Sequence, residues 1–123
     1  MPSTILLASR DLFRLTPSIF TLRMAGYMTL DMCRLEAIPS IAECNLLTAV
    51  IVDQTFSAAE QAELVRHVHD VSRRTHMITL GSNHVPAQEL VRICAACRAE
   101  SRYGRVHVIG IPQQGMTPQR KCG

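Results

Sequence analysis

Four short apolar runs constrain the fold of this 123-residue chain more than any other feature. They are residues 4–8, 48–53, 76–81 and 105–110. Strands that are apolar on both faces suit a parallel sheet that helices cover on each side, rather than a sheet with one wet face. A fifth, weaker strand is predicted over residues 27–32, where apolar and polar side chains alternate.

Helical patterns fill the segments between these strands. They cover residues 11–25, 35–44, 57–74 and a segment that begins near Pro86. The third is the clearest, because Ser57 and Glu60 form an S-x-x-E capping box and apolar residues follow at helical spacing. In the first, Pro17 either lies in the opening turn of a helix capped by Thr16 or kinks a longer helix. This alternation predicts right-handed crossovers and a doubly wound, parallel five-stranded α/β sheet.

Composition narrows the class of protein. No apolar run approaches the length of a membrane span, and the N-terminus lacks the pattern of a signal peptide, so we expect no membrane association. Five cysteines at irregular spacing indicate reduced thiols and a cytoplasmic protein. The net charge of +3 is small, and the chain has no Trp, two Tyr and three Phe. We therefore expect no nucleic-acid partner.

Landmark residues at the strand ends carry a resemblance to a known family. The first strand is apolar, the following helix ends in Ala25-Gly26-Tyr27, the third predicted strand ends in Asp53, and Pro112 follows the fifth. In these features residues 4–112 resemble the receiver domain of bacterial response regulators. The resemblance implies a flavodoxin-like (CheY-like) fold, here without the last helix. The domain is predicted over residues 1–112, and residues 113–123 are predicted to form a disordered tail.

The resemblance also implies a site for phosphoryl transfer, and the residues of this chain depart from it. Asp53 matches the phosphate-accepting aspartate. The family's acidic pair, hydroxyl and lysine fall on Ser9 and Arg10 (with Asp11 next along), on Gly81 (with Ser82 next along) and on Ile111. Mg²⁺ prefers several carboxylates, so a lone Asp53 beside Arg10 predicts weak Mg²⁺ binding at best. Arg10 is a candidate to pair with Asp53 in place of the cation.

The leading hypothesis is a degenerate receiver that acts in bacterial signalling as a phosphorylation-independent protein-interaction module. It predicts no enzymatic activity, no cofactor, no small-molecule substrate, and a protein partner or a second copy of the chain. One alternative is a true switch that accepts phosphate at Asp53, with Asp11 and Ser82 as substitutes. A second is a small thiol-redox protein that uses Cys94 and Cys97. That C-x-x-C motif lies well inside a predicted helix, away from the N-terminal position that lowers a thiol pKa.

Two further expectations concern the surface and the histidines. If the last helix is missing, Leu46, Phe56, Met77 and residues 106–111 are predicted to form an exposed apolar patch that a partner or second copy would hide. The five histidines look scattered along the sequence, so no metal site is predicted. A zinc site at the C-x-x-C motif would need a second pair of ligands, for which the sequence offers only His107 and Cys122.

Overall fold

A computed structural model describes residues 3–81, 84–100 and 102–110. The strands are β1 (Thr4–Ala8), β2 (Met28–Met32), β3 (Ala49–Val52), β4 (His76–Leu80) and β5 (Val106–Ile109). The α-helices are α1 (Thr16–Met24), α2 (Ile38–Cys44), α3 (Ala58–Val71) and α4 (Ala87–Ala99). Short 3-10 turns precede α1 and α2. The predicted tail and the predicted absence of a helix after β5 lie outside the described residues.

The five strands form one parallel sheet in the order β2-β1-β3-β4-β5. Strands β3 and β4 are buried along their whole length, and only Thr4 of β1 is partly exposed. The two edge strands, β2 and β5, are much more exposed. The predicted parallel sheet is confirmed, but β5 is not apolar and buried on both faces as its sequence suggested.

Helices cover both faces of the sheet, and alternate strand residues point to each. On one face the side chains of Leu6, Val50 and Met77 pack with α2 and α3. On the other face the intervening side chains, including those of Ile51 and Ile78, pack with α1 and α4. The carboxyl ends of β1, β3 and β4 lie side by side at one edge of these layers.

The last crossover differs in hand from the others. The connections β3–α3–β4 and β4–α4–β5 step in the same direction across the sheet, yet α3 and α4 lie on opposite faces. The two connections therefore have opposite hands. The first three crossovers share one hand, which the strong preference for right-handed connections identifies as right-handed. The prediction of right-handed crossovers throughout is wrong for β4–α4–β5.

The position of α4 decides which part of the sheet stays uncovered. On the α3 side of β5, Val106 and Val108 are 48% and 58% exposed. Phe56 and Met77, which were predicted to belong to an exposed patch, are instead buried in the core beneath α2 and α3. Leu46 is exposed, but it belongs to the connection between α2 and β3, away from Val108.

The helix starts follow local chemistry. The predicted capping box opens α3: the Ser57 amide donates to Glu60 Oε1 at 2.8 Å, and the Glu60 amide donates to Ser57 Oγ at 3.1 Å. Helix α1 starts late, as one of the two alternatives for Pro17 required, but Thr16 is its first residue rather than its cap. No helix within the described ranges is both long enough and apolar enough to cross a membrane.

Candidate functional site

Asp53 lies directly after β3 and is 3% exposed. Its carboxylate accepts hydrogen bonds from three protein donors. The Ser9 hydroxyl donates to Oδ2 at 2.6 Å, the Thr55 amide donates to Oδ1 at 3.0 Å, and the Thr55 hydroxyl also donates to Oδ1. Donors of this kind are the usual way in which a buried carboxylate is satisfied. Protein groups therefore supply the hydrogen bonds that water would give to an exposed carboxylate.

Ser9 and Thr55 are held in turn by the backbone around them. Ser9, fully buried after β1, accepts from the Asp11 amide at 3.0 Å, and Thr55 Oγ1 accepts from the Arg10 amide at 2.9 Å. These bonds tie the ends of β1 and β3 together through hydroxyl groups. Thr55 was not among the predicted site residues. Its signal is the Asp-x-Thr sequence, which commonly forms local side-chain turns.

Arg10 does not pair with Asp53, so that prediction is wrong. Its guanidinium donates to Glu60 Oε2 at 2.8 Å and lies 4.8 Å from the centre of the Phe56 ring. The reason is local: Glu60 is fixed at the start of α3 by the capping box, beside the path of the Arg10 side chain. The Ser57 amide, followed by the charge of Arg10, lowers the pKa of Glu60 and keeps it ionised.

The structure separates the other predicted site residues. Asp11 is exposed and lines a shallow cleft with Phe13, Ile19 and Asp31, which does not include Asp53. Gly81 follows β4 and does line a cleft with Asp53. Ser82 and Ile111 lie outside the described residues.

The cleft beside Asp53 has a volume of about 220 Å³ between α1 and α4. Arg14, Ser18, Gly81 and His84 contribute to its walls. Among the described residues that line it, Asp53 is the single carboxylate, and a guanidinium and an imidazole are the other ionisable groups. Mg²⁺ needs oxygen ligands and is repelled by positive charge, so this cleft does not suit it.

The Cys94 and Cys97 thiols are buried in the middle of α4. Burial, with a smaller contribution from the neighbouring Cys97, raises the pKa of Cys94 to about 12. Burial, with a smaller contribution from the charge of Glu100, raises the pKa of Cys97 to about 11. Thiol-redox chemistry requires a thiolate, so these environments oppose it.

Two of the histidines are not scattered, contrary to the reading of the sequence. His76 Nδ1 on β4 lies 3.3 Å from His107 Nε2 on β5, and Cys97 Sγ on α4 lies 3.6 Å from the same His107 atom. Burial, followed by His76, lowers the pKa of His107 and favours its neutral form. The signal for this contact was available, because adjacent parallel strands bring the positions together although 31 residues separate them.

Comparison of the sequence with family models and with curated proteins gives no match. Solved structures do match. The chain is similar to a receiver domain protein from Methanospirillum hungatei, with a TM-score of 0.60, 12% identity, and coverage of 98% of this chain and 92% of that one. It is also similar to a response regulator receiver protein from Sinorhizobium medicae, with a TM-score of 0.59, 14% identity, and coverage of 95% and 90%.

A receiver domain protein from Clostridium thermocellum is a third match, with a TM-score of 0.58, 18% identity, and coverage of 91% and 86%. At these low sequence identities the likeness shows the fold alone. The coverage of these matches, together with the flavodoxin-like strand order β2-β1-β3-β4-β5, confirms the resemblance seen in the sequence. The chain has the CheY-like fold of response-regulator receiver domains.

Proposed function

We propose that this chain is a receiver-like signalling domain that works without metal-dependent phosphorylation, as a protein-interaction module. The observation that carries the proposal is the state of Asp53. Its carboxylate is buried and accepts the Ser9 hydroxyl together with the amide and hydroxyl of Thr55. Those donors occupy most of the acceptor positions of the carboxylate, so a metal ion or a phosphoryl group would have to displace them.

Electrostatics support the same proposal. Transfer of a phosphoryl group requires that its charge be neutralised at the reacting oxygen. Ser9, which follows β1 beside Asp53, carries a neutral hydroxyl, and Asp11 lies in a different cleft. A cation would thus meet one carboxylate that is already hydrogen-bonded. We therefore propose that Asp53 has a structural role and that the chain catalyses no reaction of its own.

The first prediction concerns phosphorylation. Incubation of the full chain with Mg²⁺ and acetyl phosphate is expected to produce no covalent mass gain. Addition of Mg²⁺ and beryllium fluoride, a phosphoryl mimic, is expected to leave the amide NMR spectrum near Thr55 unchanged. The physical reason is that Mg²⁺ lacks a second carboxylate there. Mass gain that disappears in Asp53→Asn would instead support the alternative, a phosphate-accepting switch.

A double substitution provides the matched positive control. Ser9→Asp with Arg10→Asp restores two carboxylates at the positions that the family uses. Placing them beside Asp53 is expected to destabilise the apo protein by like-charge repulsion and to create saturable Mg²⁺ binding that reverses the loss. If the double variant gains Mg²⁺ binding while the native chain shows none, the missing carboxylates explain the difference.

The interaction surface that we propose is the outer part of β5. Val106 and Val108 are exposed on the face that α4 leaves bare, and β5 is an edge strand. Within the described ranges, no strand pairs with its outer side. Unpaired edge strands are templates for pairing with another chain. We propose a second copy of this chain as the partner, because two β5 edges related by a two-fold axis would satisfy each other.

The second prediction tests this surface. Val108→Lys is expected to convert a concentration-dependent dimer into a monomer in light scattering, because a charged side chain on an edge opposes pairing. Met28→Lys is the matched control, since Met28 is 55% exposed on the opposite edge strand. A native chain that remains monomeric at high micromolar concentration, or a dimer that Met28→Lys disrupts and Val108→Lys leaves intact, would contradict the assignment.

A further inference from the structure

Three metal-ligating side chains converge at the end of the sheet opposite to Asp53. They are His76 at the start of β4, Cys97 on α4 and His107 on β5, and their ligand atoms all lie within 4.8 Å of one another. His76 and Cys97 are each 1% exposed, and His107 is partly buried. None of the three contacts the residues around Asp53, so an inference from them does not depend on the proposed function.

The spacing of these atoms matches the coordination geometry of zinc. Zn²⁺ lies about 2.1 Å from imidazole nitrogen and about 2.3 Å from thiolate sulfur, which places tetrahedral ligands about 3.4 Å (N to N) and about 3.6 Å (N to S) apart. The observed separations are 3.3 Å between the two histidine nitrogens and 3.6 Å between Cys97 Sγ and His107 Nε2. Both separations from His107 Nε2 are therefore close to those around a zinc ion, and the third, between His76 and Cys97, is within 4.8 Å.

The protons of His76 are arranged as they are in a metal ligand. Its Nε2 lies 2.7 Å from the Glu100 carbonyl oxygen, which can only accept, so Nε2 carries the proton and Nδ1 is the acceptor. A hydrogen bond from the second ring nitrogen to a backbone carbonyl is the common support of a zinc-bound histidine. The Arg105 amide donates to Nδ1 at 3.1 Å, and the metal would take its place.

We propose that His76, Cys97 and His107 form a structural site for a divalent metal ion, with Zn²⁺ as the ion that the donor set favours. Two imidazoles and one thiolate are preferred ligands of zinc, and a tetrahedral ion held by these three would take water or another group as its fourth ligand. On binding, the Cys97 thiol releases its proton to solvent and the sulfur ligates the metal.

The location of the site indicates that a bound metal ion would stabilise the β4–α4–β5 unit. Each ligand comes from a different element of the β4–α4–β5 unit, the one whose crossover is left-handed. Strand β5 is a short, exposed edge strand that pairs only with β4 among the described elements. A metal ion would join all three elements and hold both α4 and β5 in place.

The third prediction follows from this proposal. The test uses the full chain with Cys33, Cys44 and Cys122 replaced by Ser, so that other thiols cannot bind metal. We expect one Co²⁺ or Zn²⁺ per chain, a visible Co²⁺ spectrum of tetrahedral type with a thiolate charge-transfer band, and a higher melting temperature with Zn²⁺. Cys97→Ser should abolish the charge-transfer band, and His107→Gln should weaken binding by at least about tenfold.

Cys94→Ser is the matched control, because Cys94 is equally buried on α4 but lies outside the cluster. It should leave the Co²⁺ spectrum unchanged. If Cys97→Ser does not fold, His107→Gln provides the test, because a substitution on the exposed edge strand β5 should disturb the core less. The proposal is overturned if the folded parent chain binds no metal, or if its Co²⁺ spectrum survives His107→Gln and shows no thiolate band.

Discussion

Replacing Gly104 with alanine is expected to cost about 3 kcal/mol of folding free energy, in the upper range for inserting an atom into a packed site. A Cβ atom at Gly104 would lie 1.9 Å from the Thr75 carbonyl oxygen. Backbone atoms cannot move aside as a flexible side chain can. The Gly104 amide also donates to the Arg73 carbonyl at 2.6 Å, so the loop leading into β5 is held against the loop leading into β4. Urea unfolding measures the loss.

Gly26→Ala separates this clash from simple backbone strain. Gly26 has a φ of +99° but meets nothing within 4 Å of an added Cβ. We therefore expect Gly26→Ala to cost only about 1 kcal/mol, the strain of an alanine in a left-handed conformation. If Gly104→Ala proves no more destabilising than Gly26→Ala, the close approach at Thr75 is not a constraint on the fold.

Asp53→Ala is the other substitution with a large expected effect, about 3 kcal/mol. It removes the acceptor for the Ser9 hydroxyl and for both Thr55 donors in a site that is 3% exposed. Each buried donor left unsatisfied costs about 1–3 kcal/mol, and Ser9 can recover part of this through the Asp11 carbonyl at 2.9 Å. Asp53→Asn keeps one oxygen and should cost about 1 kcal/mol. Urea unfolding of the two variants gives both values.

The sign of the Asp53→Asn effect distinguishes two kinds of site. In a cluster of carboxylates, neutralising one relieves repulsion and stabilises the fold. Here Asp53 faces donors, so its neutralisation should destabilise. Asp70→Ala, which removes an exposed carboxylate on α3, is the control and should change stability by less than about 0.5 kcal/mol. A more stable Asp53→Asn protein would argue that Asp53 lies among other negative charges.

The sheet could be predicted because its signals are local. Buried strands appear as continuous apolar runs, and the Ser57–Glu60 box marks the start of α3 within four residues of sequence. The placement of Asp53 at the end of β3 followed from the same pattern. The lack of a carboxylate beside it was also visible, since parallel strands bring their carboxyl ends to one edge.

The remainder depends on contacts between distant segments. Arg10 could reach either Asp53 or Glu60, and only the three-dimensional position of α3 decides in favour of Glu60. The face that α4 covers is likewise a tertiary outcome: its apolar stripe suits either side of the sheet. The pairing of β4 with β5 brings His76 and His107 together, but the contact of Cys97 with His107 depends on the face that α4 covers.

The central claim is that Asp53 is a buried hydrogen-bond acceptor rather than a metal ligand. Titration of the ¹⁵N-labelled chain with Mg²⁺, followed through the amide resonances of Ser9, Asp53 and Thr55, tests it most directly. We expect these resonances to stay in place up to millimolar Mg²⁺, because the carboxylate keeps its protein donors. Saturable shifts confined to these three amides, with release of the Thr55 hydrogen bond, would contradict it.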